Sequence, residues 1–199
     1  MRVLVACEES QVVCKTFRIK GHEAYSCDIL DCSGGHSEWH IKGDVLPLLK
    51  EHWDMIIAFP PCTYLSNAGA RHLYPKKKLN IDRYEKGLVA KEFFLKFINA
   101  PCEKIAVENP IHSRIFETPK HTQVIQPYEH GHPYSKTTRL WLKGLPILKP
   151  TNMIGEHMPF MPNGEYSRKY GGDRAKVRKS TDRSKTFQGI ANAMAEQWG

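Results

Sequence analysis

The sequence predicts an α/β domain, a doubly wound and mostly parallel sheet with helices on both faces. Three observations carry this. Short apolar runs of strand length (Arg2 to Ala6, Asp54 to Phe59, Lys104 to Val107) alternate with helical patterns. Polar, chemically able residues punctuate the ends of these runs, at Cys7-Glu8, Asp28, Asp44, Cys62 and Glu108, where such sheets hold their ligands. The chain is 199 residues long, enough for one domain with a full core and too short for two large ones.

Each element follows from local chemistry. Arg2 to Ala6 reads as a buried first strand. Ser10 can cap a helix that runs to about Lys20 and stops at Gly21. Glu23 to Cys27 gives a second strand closing on Asp28, and Asp31 to His40 reads as a polar loop. After Gly43-Asp44-Val45, Leu46 to His52 has the look of a short helix opened by Pro47. The strand Asp54 to Phe59 ends sharply at Pro60-Pro61. Thr63 to Leu79 reads as a long loop, and Asp82 to Asn99 as a helix through the periodicity of Leu88, Phe93, Phe94, Phe97 and Ile98. Lys104 to Val107 leads into Glu108-Asn109-Pro110. Thr122 to Gln126 and Thr138 to Leu142 are further strands, and Thr186 to Trp198 is an Ala-rich amphipathic helix. The whole chain, 1–199, is read as a single domain, with 145–185 a Pro-, Gly- and charge-rich basic insertion.

Net charge is +8, which favours an anionic partner. The charge is also clustered. Arg168, Lys169, Arg174, Lys176, Arg178, Lys179, Arg183 and Lys185 crowd one stretch, and Lys76, Lys77 and Lys78 follow Arg71 and His72 in another. Single-sign charge gathered in loops suits phosphate contact. No apolar run approaches the ~20 residues of a membrane span, and Glu8 and Glu9 follow the first strand too soon for a signal peptide. A cytoplasmic protein with reduced cysteines is expected. Cys27, Cys32, His36 and His40 could in principle ligate zinc, but their spacing is loose and no metal site is assigned.

Cys62 is the expected nucleophile. Two prolines stiffen the chain as it leaves a buried strand and hold the next side chain at the edge of a cleft. Glu108, between an apolar strand and Asn-Pro, should be partly desolvated and able to share a proton near neutrality. A thiol nucleophile with a proton-donating carboxyl is equipment for adding to an electron-poor heterocycle. Asp28 and Asp44, at consecutive strand ends, suggest an adenosyl cofactor.

These residues, in this order, resemble the DNA cytosine C5-methyltransferase family, and in particular its short phage- and prophage-type members. Phe59-Pro60-Pro61-Cys62, with Ser66 and Gly69 beyond, is similar to that family's Pro-Cys motif. Glu108-Asn109-Pro110 resembles its Glu-Asn-Val motif, Gly43-Asp44-Val45 its Gly-Asp-Ile motif, Tyr25-Ser26-Cys27-Asp28 its acidic strand end at the ribose, and Gln188-Gly189-Ile190-Ala191-Asn192-Ala193 its Gly-Asn-Ala helix. The resemblance implies the Rossmann-like fold of S-adenosylmethionine-dependent methyltransferases. It implies that Cys62 attacks C6 of a flipped cytosine while Glu108 contacts the ring nitrogen, with Lys136 or Arg139 in place of a family arginine. It further implies an S-adenosyl-L-methionine site of Cys7, Glu8, Glu9, Ser10, Asp28, Ile29, Asp44, Val45, Pro60 and Asn192. The partner would be DNA, either a duplex with a flipped base or a single strand.

Three departures accompany the resemblance. The family's glycine-rich cofactor loop is replaced by Ala6-Cys7-Glu8-Glu9-Ser10. Its Gln-x-Arg-x-Arg motif is replaced by Tyr134-Ser135-Lys136-Thr137-Thr138-Arg139. Only Leu145 to Lys185 stands where a target-recognition domain would be, so low sequence specificity or a specificity-supplying protein partner is expected. Two other functions stay open at this point: a nucleic-acid-binding protein without turnover, and cysteine chemistry on a free pyrimidine nucleotide or with another group donor. A cysteine hydrolase is less well supported, because His36, His40, His112 and His121 form no recognisable pattern with Cys62.

Overall fold

A computed structural model describes residues 1–159 and 185–199. Its strands are β1 (Arg2–Ala6), β2 (Glu23–Asp28), β3 (His40–Lys42), β4 (Met55–Ala58), β5 (Ile105–Asn109), β6 (Gln123–Ile125) and β7 (Thr138–Lys143). They form one seven-stranded sheet in the order β3-β2-β1-β4-β5-β7-β6. β7 runs antiparallel to both β5 and β6, and the other pairings are parallel. The helices are α1 (Val12–Ile19), α2 (Ala70–Leu73), α3 (Ile81–Ile98) and α4 (Gln188–Trp198). The fold is the predicted doubly wound, Rossmann-like α/β sheet. Strand order reverses between β1 and β4, which opens the crevice where such sheets bind ligands.

Alternation along the strands divides the core in two. Val3, Val5, Met55, Ile57, Ala106 and Leu140 face α1 and α4, meeting Val13, Phe17, Ile190, Met194 and Trp198. Leu4, Ile56, Ala58, Ile105, Val107 and Trp141 face the other way, onto Phe94 and Phe97 of α3. In β5 this places Ala106 and Glu108 on the α1–α4 side and Val107 and Asn109 on the α3 side. The antiparallel register Asn109↔Arg139 and Glu108↔Leu140 carries the same division into β7.

Several expectations are corrected. Ser10 does not cap α1. The residue before the helix is Gln11, in a left-handed conformation (φ 56°), and the helix end is closed by Glu8 instead. The short helix expected over Leu46 to His52 is a single 3-10 turn, Leu48–Lys50, because Pro47 starts it but Glu51 is already extended. The loop Thr63 to Leu79 contains α2 and two 3-10 turns. The polar loop ends in edge strand β3, and β5 continues through Glu108 and Asn109. Most of the C-terminal basic cluster, Arg168 to Arg183, lies outside the described residues. Among the described residues no helix is long and apolar enough to cross a membrane.

Candidate active site

Cys62 stands one tight turn beyond β4. Phe59 is still tied to the sheet through its N–H to the Ala6 carbonyl, at 2.9 Å. The Cys62 carbonyl then accepts from the N–H groups of Leu65 (3.1 Å) and Ser66 (2.8 Å), which closes the turn and leaves the thiol half-buried at its rim. Two further restraints hold this turn. The Asn109 amide donates to the Pro60 carbonyl at 2.7 Å, while its own oxygen meets His112 Nε2 at 2.9 Å. Backbone bonds from Asn67 N to Ile111 O and from Ser113 N to Leu65 O, both 2.7 Å, zip the Cys62 loop to the segment after β5. Farther along, Arg83 of α3 donates to the Thr63 carbonyl at 2.8 Å and lies over the Tyr64 ring. The thiol is thus held from three directions.

Glu108 leaves β5 on the α1–α4 side and comes close enough to Cys62 to raise the thiol's pKa. Burial raises it more, while the Cys62 backbone N–H and the Lys136 ammonium oppose both. Glu108 is itself pushed above the usual carboxylate range by burial, with Lys136 and the Thr138 hydroxyl acting the other way. Cys62, Glu108 and Lys136 are therefore one electrostatic unit. Arg139 is not part of it. Strand alternation turns Arg139 to the α3 side, beside His112 and Trp141. Phe59, Glu108, Lys136 and Thr138 share a small cleft with Thr186, Phe187, Ile190 and Met194 at the start of α4. Its free space, about 20 Å³, is room for one water.

The ends of β1, β2 and β3 form an acidic edge. Glu8 is 4% exposed, and its carboxylate accepts the N–H groups of Val13 (2.7 Å) and Cys14 (3.1 Å). Burial nonetheless raises its pKa to about 7. Ser10 is buried and bonds to the Glu8 carboxyl, whereas Glu9 turns outward to the Ser33 hydroxyl. Cys7, in a left-handed conformation (φ 58°), brings its thiol near Asp28, Cys27 and Asp44, and burial with these charges raises its pKa strongly. Asp28 accepts from Leu30 N and Asp44 from Leu46 N, each at 3.0 Å and each with one oxygen. Ile29, 74% exposed, offers apolar surface next to Asp28, while Val45 is buried in the α3-side core beneath Asp44. Pro60 is buried behind the Cys62 turn. Asn192 is exposed on α4 and accepts from Gln188, one helical turn back.

These residues suit part of an S-adenosylmethionine molecule. Asp28, Asp44 and Ile29 offer hydrogen-bond acceptors and apolar cover to a nucleoside. The surrounding carboxylates suit a sulfonium and an ammonium cation. The amides of α1 that could receive the cofactor's carboxylate are taken by Glu8, so that end of the molecule finds no N–H cradle there.

No family model matches the chain, and no curated protein matches it. Among solved structures, a methyltransferase from Entamoeba histolytica, EhMeth, aligns with a TM-score of 0.43 and 14% identity, over 80% of this chain and 57% of that one. The chain thus spans little more than half the length of that structure.

Sequence reasoning missed Asn109, His112, Thr138 and Phe187. Asn109 stands inside Glu108-Asn109-Pro110, where nothing local marks its side chain. Only the pairing of β5 with the Pro60 turn shows that its side chain is a clamp.

Proposed function

We propose that this chain transfers a methyl group from S-adenosylmethionine to C5 of a cytosine in DNA through a covalent adduct of Cys62. The observation that carries the reading is the meeting of Cys62, Glu108 and Lys136 at adjacent strand ends, beside an edge of carboxylates suited to an adenosyl cation. In this reading the Cys62 sulfur bonds to C6 of the ring and gives up its proton, while N3 gains one through Glu108. C5 becomes nucleophilic and would take the methyl group, the sulfur–methyl bond pair staying with the departing neutral thioether. The C5 proton then leaves to a base, N3 returns its proton, and the sulfur–C6 bond breaks to restore Cys62 and the aromatic ring. When bound, S-adenosylmethionine supplies an electrophilic methyl group. Lys136 stabilises the negative charge that moves between the sulfur and the Glu108 carboxylate. The present space over Glu108 is that of one water, so a pyrimidine enters this cleft only if lining side chains such as Phe187 and Lys136 move aside.

The test is mass spectrometry of DNA incubated with the protein and S-adenosylmethionine. 5-Methylcytosine is expected with the wild type and none with Cys62→Ala. Folded wild-type protein that modifies no cytosine in varied DNA sinks the proposal. Calorimetry with S-adenosylmethionine supplements it, with binding weakened at least ten-fold by Asp44→Ala. One observation favours a second reading, a nucleic-acid-binding homologue without turnover or with another donor: Glu8 fills the amide cradle at α1. DNA binding in the absence of any S-adenosylmethionine binding would mark that outcome.

A further inference from the structure

On the α3 side of the sheet, opposite the Glu108 cleft, lies a cavity of about 560 Å³ that none of the chemistry above uses. Asn67 and Tyr74 line it from the Cys62 loop, His112 and Arg114 from the segment after β5, and Arg139 from β7. Arg139 sits between Asn109 of β5 and Val124 of β6. It is half-buried, and its Nε is buried with no hydrogen-bond partner. It forms no ion pair among the described residues.

The titratable groups facing it are His112 and His121, and neither compensates its charge. Burial and the Arg139 charge push the His112 pKa down to about 4, so this ring is neutral at physiological pH and engaged with Asn109 and Thr118. His121 is lowered as well. A guanidinium held partly out of water without an anion is costly, and its planar fork of donors is matched to phosphate or carboxylate oxygens. Arg114, exposed at the rim, adds a second cation. No carboxylate lines the cavity among the described residues. The cavity is tied to the turn that carries Cys62, since His112 reaches the Pro60 carbonyl through Asn109.

We propose that the Arg139–Arg114 cavity is a phosphate site for a nucleotide, bordered by the loop that carries Cys62. The need for an anion stands on the buried, unbonded Nε of Arg139 and the lack of an ion pair to it among the described residues; the identity of the nucleotide rests on the function proposed above. The phosphate is a link in a DNA strand or belongs to a free nucleotide, and both sources share one chemistry.

The experiment measures binding without any methyl donor, in a Cys62→Ala background, so that failure of methyl transfer leaves it unaffected. The probes are dCMP, deoxycytidine, a short single-stranded oligonucleotide, and the same oligonucleotide with a neutral methylphosphonate beside its cytosine. The protein with both arginines intact is expected to bind a phosphorylated probe at least ten-fold tighter than its neutral counterpart. Arg139→Gln and Arg114→Ala should each lose about ten-fold for the phosphorylated probe, and Arg139→Gln should bind the charged and neutral forms alike. Arg114 is exposed, so its variant tests the site even if Arg139→Gln folds poorly. Discrimination seen only with the oligonucleotides assigns the phosphate to a strand, and discrimination seen with dCMP assigns it to a free nucleotide. Folded Arg139→Gln and Arg114→Ala variants that discriminate as well as the unsubstituted site overturn the proposal.

Discussion

Cys62 rests as a thiol, not a thiolate, because burial and the neighbouring Glu108 both raise its pKa. Its reactivity is therefore set by two side chains of opposite sign. Removing the Glu108 charge lowers the thiol pKa and leaves more thiolate at neutral pH; removing the Lys136 charge does the reverse. Alkylation by iodoacetamide, followed by intact-mass measurement at pH 7, should run several-fold faster in Glu108→Gln than in wild type and several-fold slower in Lys136→Met. Equal rates in all three proteins would show that these groups do not act as one unit. The residues themselves were legible: Pro60-Pro61 before Cys62, and an acid closing an apolar strand, mark the pair in sequence. What could not be read was the choice between Lys136 and Arg139. Arg139 lies within β7 on the α3 side, while Lys136 precedes the strand; the difference rests on an antiparallel register formed with residues roughly thirty positions away.

Glu8 shows how an element can be closed by a residue outside it. Helix α1 lacks a side-chain cap at Gln11, and its first free amides are met by the buried Glu8 carboxylate from the end of β1. A cap reaching across a left-handed turn has no local signature, whereas Ser10 carries the ordinary one. The pKa of Glu8 is raised from 4.5 to about 7. The native state therefore keeps a proton that the unfolded chain loses, and this contribution to stability is full below pH 4.5 and is lost as pH rises to 7. Glu8→Gln is neutral throughout. Its unfolding free energy relative to wild type should shift in the variant's favour, by on the order of 3 kcal/mol, between pH 4.5 and pH values above 7. Chemical denaturation across that range measures it, and parallel pH profiles would refute the assignment. At the other end of the chain, a Cβ on Gly189 would stand 1.8 Å from the His130 carbonyl, where α4 begins beside the Glu108 cleft. Gly189→Ala should cost about 1–3 kcal/mol of stability, read as a lower Tm. The apolar strands and the long helix were legible because runs of buried residues end at Pro, Gly or acid. Edge strand β3, three residues with no buried side chain, carried no such signal.

Across the whole molecule, charge is divided along one edge of the sheet. The ends of β1 to β3 carry Glu8, Glu9, Asp28, Asp31 and Asp44, while the side of β4, β5 and β7 carries Arg71, Lys76, Lys77, Lys78, Arg114, Lys136 and Arg139. Within a net charge of +8, the described strand ends thus separate into an acidic group, where Lys42 pairs with Asp31, and a basic group. On the function proposed above, this division makes DNA binding and cofactor binding separable. DNA affinity should fall steeply and linearly with salt on logarithmic axes, as phosphate neutralisation releases counterions, and S-adenosylmethionine affinity should change little. Lys76, Lys77 and Lys78 are exposed beyond α2, and their substitution leaves the core packing intact. The triple change to Gln should weaken DNA binding to a similar extent whatever the sequence, and should flatten the salt slope by about 0.9 for each phosphate left without its lysine. Anisotropy titrations at several salt concentrations, with calorimetry of the cofactor alongside, test this. An unchanged slope would move the DNA path away from the Cys62 loop, and a loss of cofactor affinity would show that the two groups are not independent.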